Sequence, residues 1–267
     1  MTSPTIGMGI LSWGGAGSLK NSIASYKTEN LFSLLDESVL VLPEPDEVIL
    51  DVSKSFPGDV KTFPKNLGIG PGMKAVAEAL STDYVLLMEN DCPLIESHEE
   101  AARQLHKATE LIDSGQAIMA RFRSIREPGE PFHVKSKYSR YYGDGVLPVL
   151  RRLIRPGKAK RLVGSSVFFE DNPAKAFPRY IKCAGDNFYL ISAKNMPWSN
   201  QSILLKRNVF LNTIMPYVES SPSRRRVNGF RNIEIELNRS KFWLNSGWST
   251  ACGPGLFTHS REEYRGY

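Results

Sequence analysis

Two carboxylates at the end of an apolar run are the residues of this sequence best suited to chemistry. Residues 84–88 form a continuous hydrophobic run of strand length, and Glu89 and Asp91 follow it. Because side chains alternate along an extended chain, both acids are predicted to project to the same side. Strand ends in an open α/β sheet border the ligand crevice, where two acids suit a divalent cation bound to phosphate. The alternative, acids that mark a turn after a buried strand, stays open on spacing alone.

The composition favours one large folded domain. The chain has 267 residues, of which 41% are hydrophobic, enough to bury a full core. Residues 6–11 are too short and too interrupted by glycine for a signal peptide or a membrane span, so a cytoplasmic location is expected. Cys92, Cys183 and Cys252 lack the spacing of a metal-binding pair, and reduced thiols are expected.

The positive charge is concentrated in residues 121–161. This segment carries twelve Lys or Arg residues against three acids, within a chain of net charge +6. Such a cluster can contact phosphate groups, or it can form a solvated surface. No nucleic-acid-binding motif is recognisable, so no specific nucleic acid partner is expected. A polyanion-binding module that uses this cluster without catalysis remains an alternative function.

Strand and helix signals alternate in the first third of the chain. Strands are predicted at 6–11 and 39–42 and helices at about 19–26 and 73–80, with a further short apolar element at 48–50. This order predicts an α/β fold with a mostly parallel sheet. Glycine-rich turns precede both helices, but neither matches a P-loop or a dinucleotide-binding fingerprint.

Three segments together resemble the nucleotide-binding half of a GT-A-fold glycosyltransferase, similar to the family-2-like enzymes. They are the first strand, turn and helix at 10–25, the Asn-x-Gly segment at 66–70, and Glu89-Asn90-Asp91 in the place of the family's Asp-x-Asp motif. The resemblance implies a GT-A (Rossmann-like) fold, with a mostly parallel central sheet flanked by helices and a smaller acceptor-side part. It implies a single domain, residues 1–267. The nucleotide-sugar-binding half would comprise residues of about 1–95, and the acceptor-binding half residues of about 96–267.

The same resemblance implies a metal-dependent donor site. Mn²⁺ or Mg²⁺ and a nucleoside-diphosphate sugar, with a UDP-sugar the first expectation, would bind at the acidic motif. Asp91 is the implied metal ligand, and Glu89 departs from the family's first Asp. His259 would add a nitrogen ligand, and Arg261 would neutralise the diphosphate. The implied donor-side residues are Ser12, Trp13, Glu44, Asn66, Lys74, Glu89, Asn90 and Arg261.

Residues 228–237 resemble the family's acidic pair at the start of a helix. Glu234 and Glu236 are the implied catalytic carboxylates, and Glu234 matches the general base better by position. Asp186, within a predicted acceptor-side strand at 185–192, remains an alternative base. The alternative is a purely structural role, in which these acids only stabilise a helix N-terminus capped by Asn232.

The implied reaction is inverting transfer of a sugar to a hydroxyl of a glycan or glycoconjugate. A nucleotidyltransferase is the enzymatic alternative, because it also places metal-binding acids on a glycine-rich α/β sheet. That function predicts basic residues in the first phosphate-binding turn, and residues 11–18 contain none.

Overall fold

The computed structural model describes residues 4–223, 225–227, 229–238 and 240–262. Within these residues, nine strands form one sheet. They are β1 (Ile6–Leu11), β2 (Glu37–Pro43), β3 (Asp59–Phe63), β4 (Tyr84–Glu89), β5 (Met119–Arg123), β6 (Ile181–Cys183), β7 (Tyr189–Ser192), β8 (Ile203–Lys206) and β9 (Ser249–Phe257). Their order across the sheet is β3-β2-β1-β4-β8-β5-β9-β7-β6.

Helices cover both faces of this sheet. The longer ones are α1 (Ala16–Thr28), α2 (Glu47–Ser53), α3 (Ile69–Ala79), α4 (His98–Asp113), α5 (Val134–Tyr142), α6 (Val146–Ile154) and α7 (Pro156–Leu162). The later ones are α8 (Pro173–Ala176), α9 (Arg207–Val209), α10 (Met215–Ser220), α11 (Ile233–Leu237) and α12 (Lys241–Leu244). Short 3₁₀ helices occupy Leu31–Leu34 and Val163–Phe168, and a π-helix at Phe210–Ile214 joins α9 to α10. None of the helices in the described part of the chain combines the length and the apolar character that crossing a bilayer requires.

The sheet is mixed, so the prediction of a mostly parallel sheet is confirmed only in part. Strands β3, β2, β1 and β4 are parallel, as predicted, and β5 is parallel to β9. Strand β8 is antiparallel to both β4 and β5, and β7 is antiparallel to both β6 and β9. The alternation of strand and helix that produces parallel pairs ends after β5, and a short turn joins β6 to β7 as a hairpin.

The core strand β4 is buried on both faces, as its apolar run predicts. Leu86 and Met88 pack in a cluster with α1 and α4 on one face of the sheet. Val85 and Leu87 pack on the other face, against α3, α10 and α11. The carboxyl end of β4 therefore lies between two packed layers, where its position is well defined.

At three places the secondary structure differs from the one that the hydrophobic pattern of the sequence predicts. The segment at 48–50 is helical in α2, because Asp46 caps that helix by accepting a 2.8 Å hydrogen bond from the Ile49 amide. Strand β3 was not predicted, since its residues lie at the sheet edge and are largely exposed. The predicted strand at 185–192 is extended only from Tyr189, because Asp186 and Asn187 adopt positive φ angles in the β6–β7 turn.

Candidate active site

A cavity of about 340 Å³ opens at the carboxyl ends of β1, β2 and β4. This edge is where open α/β sheets bind ligands. Residues from several distant segments meet there. The cavity is lined by Leu11, Trp13, Pro43, Asn66, Gly68, Ile69, Glu89, Asn90, Asn200, Gln201, Val227, Phe230, Asn232, Glu234 and Arg261.

A carboxylate and histidine cluster lies beside this cavity. Glu89, Asp91 and His259 each offer one ligand atom, and these atoms lie within 4.8 Å of one another. Asp91 and His259 are only 1% and 2% exposed. The His259 Nε2 atom lies 3.2 Å from Asp91 Oδ2. Asp91 and His259, which the family resemblance implies as ligands of one metal ion, are therefore neighbours in the structure.

The tautomer of His259 follows from its second contact. Its Nδ1 atom lies 2.9 Å from the Glu130 carbonyl oxygen, which can only accept a hydrogen bond. Nδ1 therefore carries the hydrogen, and Nε2 points its lone pair or a second proton towards Asp91. Among the residues the structure describes, none hydrogen-bonds this buried Nε2 atom.

These residues fit a divalent cation. His259 Nε2 lies 3.2 Å from Asp91 Oδ2, and Glu89 adds a third potential ligand atom within 4.8 Å of both residues' ligand atoms. Carboxylate oxygens and an imidazole nitrogen are a donor set that suits Mn²⁺-type ions. The Glu130 carbonyl supplies the outer hydrogen bond that commonly orients a metal-binding histidine.

Backbone hydrogen bonds hold the C-terminal segment against the acidic loop. The Thr258 amide donates to the Pro93 carbonyl at 3.1 Å, and the Ser260 amide donates to the Asp91 carbonyl at 2.9 Å. These bonds continue β9 along the loop that follows β4. His259 is thereby fixed by the main chain next to Asp91.

Arg261 lies at the junction of the cluster and the cavity. Its Nε atom donates to Asp91 Oδ2 at 3.2 Å, and its side chain lines the cavity. A guanidinium group in this place can bind phosphate oxygens with two donors while it also holds Asp91.

Asn90 and Ser12 hold the turn between β1 and α1. Asn90 Nδ2 donates to Ser12 Oγ at 2.6 Å and to the Gly14 carbonyl at 2.9 Å. Gly14 and Gly15 adopt left-handed φ angles of 65° and 71° there, which glycine tolerates without strain. Asn90 lines the cavity, whereas Ser12 is buried beneath it.

The structure brings together most of the other predicted donor-side residues. Trp13 lines the cavity, and its Nε1 atom donates to Oε2 of the exposed Glu44 at 3.3 Å, so Glu44 lies beside a lining residue. Asn66 lines it too, and its Oδ1 atom accepts from the Gly68 amide at 2.7 Å. Lys74 lies outside the lining and pairs with Glu219 at 2.6 Å, which raises the pKa of Lys74.

Glu234 is the predicted base that faces the cavity. Asn232 caps α11 by accepting from the Ile235 amide at 3.2 Å, and Glu234 lies in the first turn. Its Oε1 atom accepts from the Asn200 amide at 3.0 Å. Burial raises the pKa of Glu234, although the Asn200 hydrogen bond and the charge of Arg121 oppose that rise. A carboxyl group of this kind suits proton abstraction nearer to neutral pH.

The other two candidate bases lie elsewhere. Glu236 is buried, accepts a hydrogen bond from Ser221 Oγ and lies 3.8 Å from Arg231 Nη1, outside the cavity lining. Asp186 lies in the β6–β7 turn, 3.8 Å from Lys107 Nζ. Asn228, the first residue of the predicted acidic segment, falls outside the described residues.

Sequence analysis missed Asn200 and Gln201, which line the cavity. They precede β8, and residues before a strand lie at the opposite edge if that strand is parallel. Because β8 is antiparallel to β4, Ile203 is paired with Leu87 and the residues before it reach the carboxyl end of β4. Only the strand direction could have revealed them.

The basic segment divides into interior and surface parts. Arg123 is buried, donates to Gln201 Oε1 at 2.7 Å and lies 4.6 Å over the Phe132 ring. Burial lowers the pKa of Arg123 to about 10. The cations of α5, α6 and α7 are mostly exposed. The segment is therefore not one continuous charged surface.

No protein-family model and no curated protein sequence matches this chain. Solved structures do match. A mycobacterial protein is 14% identical with a TM-score of 0.52, over 97% of this chain and 68% of that chain. Glucosyl-3-phosphoglycerate synthase from Mycobacterium tuberculosis, in complex with Mn²⁺, uridine diphosphate and phosphoglyceric acid, is 12% identical with a TM-score of 0.51, over 97% and 72%. The same synthase with Mn²⁺, UDP-glucose and glycerol 3-phosphate has a TM-score of 0.50 at 12% identity, over 97% and 73%.

Identities this low establish a shared fold and leave the chemistry to be argued from the site. The likeness spans nearly the whole of this chain. The chain has a GT-A glycosyltransferase fold, as the resemblance of its N-terminal segments predicted.

Proposed function

We propose that this protein is a metal-dependent, inverting glycosyltransferase. It would move a sugar from a nucleoside-diphosphate sugar, first of all a UDP-sugar, to a hydroxyl of a carbohydrate or glycoconjugate acceptor. One observation carries the proposal: a single cavity joins a carboxylate and histidine cluster to Glu234, a carboxyl group whose pKa is raised by burial. The fold neighbour that binds Mn²⁺ and UDP-glucose supports the same donor class.

On the donor side, the chain would bind and orient the diphosphate. Glu89, Asp91 and His259 would hold the divalent cation, which when bound supplies positive charge to stabilise the departing diphosphate. Arg261 would donate to phosphate oxygens from the cavity wall. Trp13 would contact the nucleoside across its apolar face, held in place by its bond to Glu44.

On the acceptor side, Glu234 would accept a proton. The acceptor oxygen forms a bond to the sugar C1 while the bond from C1 to the diphosphate oxygen breaks, and the hydroxyl proton passes to Glu234. Attack from the face opposite the leaving group inverts the configuration at C1. The Asn200 amide holds one oxygen of the Glu234 carboxylate, and Glu234 lines the cavity where the acceptor would bind.

A thermal-shift experiment tests the donor site. The melting temperature is measured with UDP, GDP, dTDP and CMP, each with and without Mn²⁺, on the wild type, Asp91→Asn and Asp51→Asn. Asp51 is the matched control, an exposed acid on α2 outside the cavity lining. We expect a metal-dependent rise for one nucleotide that is lost in Asp91→Asn and kept in Asp51→Asn.

Two outcomes would contradict the proposal. A nucleotide shift that is equal in Asp91→Asn would remove that carboxylate from the donor site. No shift with any nucleotide, together with metal-independent binding of a polyanion, would favour the binding module of residues 121–161. For the stereochemistry, a product whose anomeric configuration by NMR equals that of the donor would exclude Glu234 as the base of an inverting reaction.

A further inference from the structure

Helix α6 carries an apolar face that the rest of the protein does not cover. Val146, Leu153 and Ile154 are 71%, 72% and 75% exposed. Of the eleven large hydrophobic side chains that are exposed among the described residues, six lie on this nine-residue helix. Contiguous exposed apolar surface of this kind usually marks an interaction site. The six are Val146, Leu147, Val149, Leu150, Leu153 and Ile154.

The apolar side chains share one side of the helix. At 3.6 residues per turn the six fall within an arc of about 160°. Pro148, on the opposite side, is the buried residue of the helix. Arg151 Nη1 donates to the Arg140 carbonyl at 3.3 Å, and Arg152 donates to the Tyr141 carbonyl. The two arginines thus tie α6 to α5, and the apolar arc faces away from the protein.

The sequence on both sides of α6 is strongly basic. From residue 134 to residue 162 the chain has one acid, Asp144, against nine Lys or Arg residues. Four of the nine follow α6 along the chain and are exposed, on α7 and at its start. They are Arg155, Lys158, Lys160 and Arg161.

We propose that α6 and α7 bind this protein to the surface of an anionic lipid bilayer. Helix α6 would lie in the plane of the interface, with its apolar arc at the acyl boundary and the neighbouring cations at lipid phosphates. A second copy of the chain fits this face poorly, because a two-fold contact would bring the same cations against each other. An anionic bilayer offers both apolar depth and opposite charge. This inference does not depend on the proposed transferase activity.

Co-sedimentation with vesicles tests the inference. Wild-type protein is mixed with vesicles of phosphatidylcholine alone or with added phosphatidylglycerol, at low and high salt. The variant Leu153→Ser/Ile154→Ser removes apolar side chains from the arc. The matched control, Val48→Ser/Leu50→Ser, makes the same type of change on α2, where both side chains are exposed.

We expect wild type to bind the vesicles that contain phosphatidylglycerol and to release as salt screens the charges. The α6 variant should lose about ten-fold or more in partitioning, since less apolar surface enters the interface. The α2 control should bind like wild type. Equal melting temperatures of all three proteins would show that the variants fold, as expected for exposed positions.

Several results would overturn the inference. They are no binding of wild type to the anionic vesicles, equal binding to phosphatidylcholine alone, or unchanged binding of the α6 variant. A concentration-dependent dimer of wild type that the α6 variant abolishes would instead assign the face to self-association.

Discussion

Glu234 is the residue on which the proposed chemistry depends most directly. Replacing it with Gln keeps its shape and its acceptor oxygen for the Asn200 amide but removes the base. We expect kcat to fall by roughly 10²- to 10⁴-fold, with little change in the KM for the donor. Steady-state kinetics with a UDP-sugar would measure both kcat and the KM for the donor.

Glu236→Gln is the matched control for that experiment. Glu236 lies two residues away in the same helix but is buried against Ser221 and Arg231, outside the cavity lining. Its kcat should therefore stay within a few-fold of the wild type, a difference on the order of 1 kcal/mol or less. If kcat fell equally in Glu234→Gln and Glu236→Gln, Glu234 could not be assigned as the general base.

The buried Glu234 carboxylate should also lower the stability of the folded protein at neutral pH. Because burial raises the pKa of Glu234 above the usual value of about 4.3, the folded state favours the protonated form. Its contribution to stability is present below pH about 4 and is lost as pH rises through the folded-state pKa. Glu234→Gln should therefore melt on the order of a few °C above wild type at pH 7 and converge with it in acid. A lower melting temperature at pH 7 would contradict this.

The strand-end acids and the family resemblance together pointed to several residues that the structure places at or beside the cavity. Asp91 and His259 are far apart in the chain yet adjacent in space, and Glu234 faces the cavity as its position in the acidic segment implied. Lys74 does not line the cavity, because Glu219 on α10 holds it on another surface. Such a partner is 145 residues away in the chain and leaves no local signal.

At the scale of elements, the short helix α11 controls where Glu234 points. It has only five residues, so its Asn232 cap supplies much of its local order. Asn232→Ala should lower the free energy of unfolding by about 1 kcal/mol and reduce kcat/KM, whereas Asn232→Ser should restore most of both. Urea denaturation and kinetics on the same samples would measure these changes.

Ser240 provides a control cap for this comparison. It caps α12 by accepting from the Trp243 amide at 3.0 Å, and it lies outside the cavity lining. Ser240→Ala should cost a similar amount of stability, about 1 kcal/mol, with kcat/KM unchanged. If Ser240→Ala reduced kcat/KM as much as Asn232→Ala, general destabilisation would explain both results.

The elements could be predicted where their signals were local. Strands β1, β2 and β4 and helices α1 and α3 follow from apolar runs and glycine-rich turns. The direction of β8 could not be predicted, because its four residues carry no mark of whether they pair parallel or antiparallel. Asn200 and Gln201 were missed because neither this short strand nor its direction was predicted.

At the scale of the whole molecule, the candidate metal site joins the loop after β4 to the segment after β9. Asp91 follows β4 in the N-terminal part, whereas His259 follows β9, the last strand. Main-chain bonds from Thr258 and Ser260 already fasten these segments together. A cation bound by both side chains would add a further link between parts that are far apart in sequence.

Mn²⁺ alone, without nucleotide, should therefore raise the melting temperature of the whole protein. A ligand that binds only the folded state at 100 times its Kd contributes about 2.7 kcal/mol. The rise should reverse with a chelator and disappear in His259→Ala, because the imidazole of His259 is one of three groups in the cluster. His106→Ala, which removes an exposed histidine from α4, should keep the full response. An undiminished response in His259→Ala would place the ion elsewhere and would leave the contact between Asp91 and His259 as a structural link between the loop after β4 and the segment after β9.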